Sequence, residues 1–209
     1  MLGEDAQEEL LRRWPDFEGA GFARIPRMLE NSACQQLAVD AEHCQLSTAP
    51  PLVGLVRQRL QSAQLPFVAS PASFQEVGVW FREQLHGLLP QPQQPDAVSG
   101  WPNEVTVARY DTGDGISAHR DHARYAVAIV ICSLTGLGRL QVVSDRKALS
   151  VEQDHVLNPG DVVLLAAAGR DSPMHVVRTL YGPRLSISFR FDSSATDSIA
   201  PAAARLNLS

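Results

Sequence analysis

Between Arg184 and Phe191 the sequence alternates without interruption. Arg184, Ser186, Ser188 and Arg190 fall on one side of an extended chain, and Leu185, Ile187, Phe189 and Phe191 on the other, because residues i and i+2 of a strand share a face. The apolar side is an ordinary core face. The other side carries two guanidinium groups and two hydroxyls toward what must be the interior of a barrel, where an unpaired charge is very costly. Such an interior needs an anionic occupant. The two arginine Cα atoms lie about 20 Å apart along the strand. Their long side chains, leaning inward, leave a gap that a small dicarboxylate spans, and the planar fork of arginine grips a carboxylate bidentately.

This strand is the last of a series. From Val105 onward the runs VTVARY, GISAH, YAVAIVICS, GRLQVV, DVVLLAA, MHVVRTL and RLSISFRF follow one another, separated by turn residues. The part before them reads as mostly helical. Residues 5–14 have acids early and arginines late, with Pro15 expected to end the helix. A short strand is expected within residues 17–29, and Asn31 or Ser32 can cap a second helix with Ala33, Leu37, Ala41 and Cys44 on one face. After the breaker STAPP, the spacing of Leu52, Leu55, Val56 and Leu60 predicts a short amphipathic helix. Ser73 with Glu76 forms a capping box for a helix carrying Phe74, Val77, Phe81, Leu85 and Leu88. Helices followed by strands predict an α+β fold, a jelly-roll or double-stranded β-helix core buttressed by N-terminal helices. We expect one domain over 1–192: helical support and substrate-side elements in 1–104, the core in 105–192, and a flexible tail in 193–209. The proline- and glutamine-rich stretch after Pro90 reads as a surface loop.

Composition narrows the function classes. A chain of 209 residues, 44% hydrophobic, can bury one sizeable core. Its net charge of −5 argues against a large nucleic-acid footprint. No apolar run reaches the ~20 residues that span a bilayer, and the polar N-terminus has no targeting character. Cys34, Cys44 and Cys132 are scattered, which predicts free thiols in a reducing cytoplasm. Arg57, Arg59 and Arg82 read as solvated helix positions.

Two residues apart in GISAHRD, His119 and Asp121 would present an imidazole and a carboxylate on the same face of a strand. The turn signal DTGDG before them places the pair near a barrel mouth. An HxD pair alone is common by chance. His175, 54 residues after Asp121 at the start of MHVVRTL, supplies the third member of a two-histidine, one-carboxylate set of the kind that holds ferrous iron with positions left open.

As an ordered set, Tyr110, Gly113, His119-x-Asp121, Ser133-Leu134, Gly160-Asp161-Val162-Val163, His175 and Arg184-x-Ser186-x-x-x-Arg190 resembles the Fe(II)- and 2-oxoglutarate-dependent dioxygenases, AlkB-like branch. The resemblance covers Val105 to Phe191. It implies that His119, Asp121 and His175 ligate iron and carry catalysis. Arg184 would bind the distal carboxylate of 2-oxoglutarate, Arg190 would lie near its chelating end, and Tyr110 and Ser186 would add hydrogen bonds. It also implies O2 as a cosubstrate, with 2-oxoglutarate converted to succinate and CO2 as a substrate C–H bond is oxidised.

Two positions depart from the repair enzymes of that branch: Ala108 stands where they carry asparagine, and Ala123 where they often carry an acid. Basic and aromatic residues for a nucleic-acid lid are also sparse between Leu46 and Pro71. The reading favoured here is therefore hydroxylation of a small-molecule, amino-acid or peptide-like substrate. The alternatives are oxidative demethylation of alkylated nucleic acid or nucleotides, and a non-catalytic sensor binding metal and 2-oxoacid. Arg124, Tyr125 and Arg139 are candidates for lining the mouth, and His122 for a surface or supporting position. His43, His86 and His155 are expected on helix surfaces or in a loop without a chemical role, and Asp145-Arg146-Lys147 in a hairpin turn.

Overall fold

The computed structural model describes residues 2, 3, 5–88, 101–121, 128–146, 150–166 and 173–192. The core is a double-stranded β-helix made possible by two long bent strands, β8 (Ala128–Val143) and β11 (His175–Phe191). The sequence shows each of these as two separate runs. In the structure the first half of β8 pairs with the second half of β11 (Ser133↔Ser186 to Ala128↔Phe191), and the second half of β8 with the first half of β11 (Gly138↔Thr179 to Val142↔His175). Gly136 (φ 69°) and Gly182 (φ 62°), one in each strand, take the left-handed conformation at the bends.

The remaining strands extend these two halves into facing sheets. The first runs β1 (Phe22–Ile25), β10 (Val162–Leu165), β8, β11, β6 (Glu104–Tyr110), β5 (Gln61–Pro66), β2 (Ser47–Thr48). The second runs β9 (Val151–Leu157), β8, β11, β7 (Gly115–His119), β4 (Val56–Arg59), β3 (Leu52–Val53). Strand β9 has no counterpart among the sequence-predicted runs. Its VEQDHVL is mostly polar because it is an edge strand with half its side chains in solvent.

Helices cover the outer face of the first sheet. α1 (Ala6–Ala20) buries Ala6, Leu10, Trp14 and Phe17 at helical spacing. The sequence predicts that Pro15 stops this helix, but α1 continues through it to Gly21, whose left-handed N–H bonds Phe17 C=O. A mid-helix proline costs about 3 kcal/mol. Burial of Trp14 and Phe17 on either side, about 1.5–3 kcal/mol for each large apolar side chain, offsets it. α2 (Asn31–Glu42) has Glu30, not Asn31 or Ser32, at its N-cap. α3 (Ala72–Leu85) has Pro71 at its N-cap and no side-chain cap. The expected capping box does not form, since Ser73 lies inside the helix rather than at its N-cap; its Oγ instead donates to Asp40 Oδ2 at 2.5 Å, tying α3 to α2.

The predicted helix over 52–60 is instead the β3–β4 hairpin. Its leucines match a helical period, but Gly54 turns at φ 57° between the β-branched Val53 and Val56. The N-terminal half is thus part helix and part sheet extension. Arg57 and Arg59 consequently lie on a strand, not a helix, and Arg59 pairs with Asp114.

The alternation in β11 sorts as read. Leu185, Ile187, Phe189 and Phe191 join Val105, Val107, Val130 and Cys132 against Leu10, Leu37, Phe74 and Phe81 of the helices. The opposite face looks between the sheets, where Ala108, Tyr110, Ile129, Val163, Leu165, Leu140, Val142 and Val177 form a second cluster. Cys34, Cys44 and Cys132 are free thiols.

Candidate metal centre

His119 ends β7, and His175, buried, begins β11. The two are register partners in the antiparallel pair, so their side chains emerge side by side from the inner face of the second sheet. Asp121 follows two residues on. The His175 Nε2 to Asp121 Oδ2 distance is 3.6 Å, and the imidazole centroids are 4.3 Å apart with planes at 51°. One ligand atom from each of the three residues lies within 4.8 Å of the others.

Backbone carbonyls fix how the rings present themselves. His119 Nδ1–H donates to Ser117 C=O at 2.8 Å, and His175 Nδ1–H to Pro173 C=O at 3.1 Å. Because a carbonyl only accepts, the proton sits on Nδ1 and both Nε2 lone pairs are left for a metal. Burial, reinforced by neighbouring His175 and opposed by Asp121, lowers the His119 pKa to about 4. The neutral, ligating form therefore prevails near neutral pH. Two nitrogen donors and one carboxylate on one side of a cation fit ferrous iron.

Deeper between the sheets, Arg184 is 2% exposed. Its guanidinium carbon lies 5.3 Å from the centroid of Tyr110, its register partner on β6, and its Nη2 donates to Ser133 Oγ at 3.3 Å. Its Nε is buried without a hydrogen-bond partner, and no carboxylate of the described residues acts on it. Burial lowers its pKa, opposed by Tyr110. Burial raises that of the Tyr110 hydroxyl, opposed by Arg184. A cation in such a place calls for an anion. Ser186, also buried, stands opposite Ala108 on one side and Ser133 on the other. Thr106 Oγ1, on the same inner face, is buried with no partner among the described residues. Ser133 belongs to the ordered set that carries the resemblance, whereas Thr106 has no motif of its own in the sequence. The i, i+2 alternation that links Thr106 to Tyr110 is the signal that could have found it.

Arg190 is placed differently. It lies at the far end of β11 and forms an ion pair at 3.7 Å with its register partner Glu104. Arg139 lies on the outer surface, paired with Asp154, rather than at the mouth. His155 is on β9, where its ring stacks on Phe22 with centroids 4.7 Å apart, not in a loop or helix. His43 and His86 follow the last turns of α2 and α3. His122, Ala123, Arg124 and Tyr125 lie outside the described residues.

No model of a protein family matches this sequence, and no curated protein matches it. Solved structures do match its fold. A prolyl-4-hydroxylase from Pseudomonas putida superposes with a TM-score of 0.62 at 15% identity, over 88% of this chain and 98% of that one. HygX from Streptomyces hygroscopicus, with nickel and 2-oxoglutarate bound, gives 0.56 at 17% identity over 85% of both chains. OsALKBH1 gives 0.53 at 16% identity, over 81% of this chain and 97% of that one. With most of each chain superposed, the present chain has the jelly-roll fold of these proteins, which is the double-stranded β-helix expected from its sequence.

Proposed function

We propose that this protein is an Fe(II)- and 2-oxoglutarate-dependent oxygenase that oxidises, by hydroxylation, a C–H bond of a small-molecule or peptide-like substrate, with succinate and CO2 as coproducts. The observation that carries the proposal is the buried Arg184, which has no carboxylate partner among the described residues, in the same inter-sheet interior as the His119, Asp121 and His175 cluster. One feature calls for a small anion and the other for a metal, and a 2-oxo dicarboxylate chelating iron satisfies both.

In this reading His119 Nε2, His175 Nε2 and an Asp121 carboxylate oxygen hold the iron, with Ser117 and Pro173 carbonyls orienting the rings. Iron there supplies the activation of O2 that is coupled to oxidative decarboxylation of the 2-oxoacid. Arg184 grips the distal carboxylate of 2-oxoglutarate, and Tyr110, Ser133 and Ser186 donate hydroxyl hydrogen bonds around it. Ile129, Leu140, Val142 and Val163 wall the space with hydrocarbon, which excludes water and strengthens each of those contacts. For Arg190, already paired with Glu104, we propose a supporting role near the chelating end of the cosubstrate.

Succinate release from 2-oxoglutarate under aerobic conditions with Fe(II) tests the reading. Wild-type protein is expected to release it, at a rate that a substrate raises, and Asp121→Ala is expected to lose it. Stimulation by methylated oligonucleotide alone would shift the substrate to nucleic acid. Binding of 2-oxoglutarate with no turnover under any condition would mark a sensor.

A further inference from the structure

The order of strands in the second sheet, β3-β4-β7-β11-β8-β9, puts the two histidine-bearing strands at its centre and a chain reversal on each flank. On one flank, β4 runs antiparallel to β7, with Arg59↔Gly115 and Gln58↔Ile116 in register and the Arg57 N–H donating to Ser117 Oγ at 2.9 Å. Continuing in that direction, Val56, Leu55, Gly54 and Val53 lie toward the His119 end of β7. Val53 and Val56 are register partners and share the face of Gln58. That face points inward, because Ile116 opposite Gln58 packs into the cluster between the sheets. The hairpin is nevertheless largely uncovered: Leu52, Val53 and Leu55 are 59%, 44% and 76% exposed. Single exposed apolar residues are common, but three within four positions on one turn mark a contact surface.

The other flank is chemically different. β8 ends one residue after Val142, the register partner of His175, and Ser144 N–H donating to Ser150 C=O at 3.0 Å closes the connection to β9. Arg146 stands exposed in that connection. It lies four residues past Val142, the register partner of His175. Approach to the metal is thus bordered by an apolar hairpin on one side and a guanidinium on the other.

Building on the oxygenase reading, we propose that the substrate is an amphipathic organic anion. Its hydrocarbon part lies against Val53, Leu55 and Val56, and its acidic head is drawn to Arg146, leaving the carbons between them in front of the metal centre. The hairpin supplies apolar contact area and Arg146 a rim charge that sets which head group is accepted.

Calorimetric titration of octanoate, 1-octanol and octylamine into the protein, with Zn(II) and saturating 2-oxoglutarate present, tests this. Octanoate is expected to bind at least about tenfold more tightly than octylamine, a preference of about 1.4 kcal/mol. Arg146→Glu is expected to abolish that preference while leaving 2-oxoglutarate binding unchanged. Val53→Asp and Leu55→Asp are expected to weaken octanoate and octanol alike. All three positions are exposed or half exposed, so melting temperatures should stay close to wild type. Equal binding of octanoate and octylamine, octanoate binding untouched by Arg146→Glu, or octanoate competing with 2-oxoglutarate would each overturn the proposal. The two readings fail separately: loss of 2-oxoglutarate binding with octanoate selectivity retained overturns only the oxygenase reading, and the reverse overturns only the substrate class.

Discussion

Gly138 and Arg184 share one volume: a β-carbon at position 138 would lie 2.5 Å from Arg184 Nε and 2.8 Å from its Cδ. The Arg184 side chain has its place between the sheets only because β8 has no side chain at that position. Gly138→Ala is therefore expected to displace Arg184 and to raise the Kd for 2-oxoglutarate about tenfold, roughly 1.4 kcal/mol. Binding of Fe(II), held elsewhere, should be unchanged. Calorimetry with each ligand separately checks both halves of this expectation, and overpacking should cost about 1–3 kcal/mol of stability.

Arg184 itself should reveal a conflict between binding and stability. Arg184 is a buried cation with no carboxylate partner among the described residues, which is unfavourable until an anion arrives. Arg184→Met, similar in length and uncharged, is expected to melt at or above the wild-type temperature in the absence of 2-oxoglutarate. Wild type should gain stability as 2-oxoglutarate is added, whereas the variant should not. Thermal melts across a 2-oxoglutarate series give both numbers, and a variant that melts well below wild type without ligand would contradict the account.

His119 predicts the acid behaviour of the metal-free protein. Its folded pKa, about 4, lies below the ordinary value of 6.5, so between these values the unfolded chain binds more protons than the folded one and stability rises with pH. The contribution is fully present above about 6.5 and is lost as pH falls toward 4, by an amount on the order of 3 kcal/mol. Urea denaturation at pH 4.5, 5.5 and 7 measures it. In His119→Gln the slope over that window should be visibly shallower.

Ser117 serves two neighbours at once. Its carbonyl accepts from His119 Nδ1–H, and its hydroxyl accepts the Arg57 N–H of the β3–β4 hairpin. Ser117→Ala keeps the first bond and removes the second, which is worth about 1 kcal/mol. Hydrogen exchange should speed up at the amide of Arg57, with the metal affinity unchanged.

The parts of this molecule written in local periodicity were legible in the sequence. Arg184 to Phe191 could be sorted into two faces because a strand's period is fixed; the pairing of His119 with Asp121 was legible from their spacing, although Asp121 lies two residues past the end of β7 rather than on it. Long-range partners were not legible. The Glu104 carboxylate beside Arg190 and the open space at Gly138 depend on which strands pair and in what register, which neither segment encodes alone. The hairpin at Leu52 to Arg59 misled because leucines and valines three and four apart imitate a helix; the left-handed Gly54 decides otherwise. At Ser73 a good local signal fell inside the helix, and the hydroxyl bonds a tertiary partner, the Asp40 carboxylate.

The most direct test of the central claim is anaerobic addition of Fe(II) and 2-oxoglutarate, followed by visible absorption. Wild-type protein is expected to develop a weak metal-to-2-oxoacid band. His119→Ala and His175→Ala are expected to lose it, and Arg184→Ala to need far more 2-oxoglutarate to reach it. A band that persists unchanged in His119→Ala, or that never forms in the wild type, would contradict the assignment of this site.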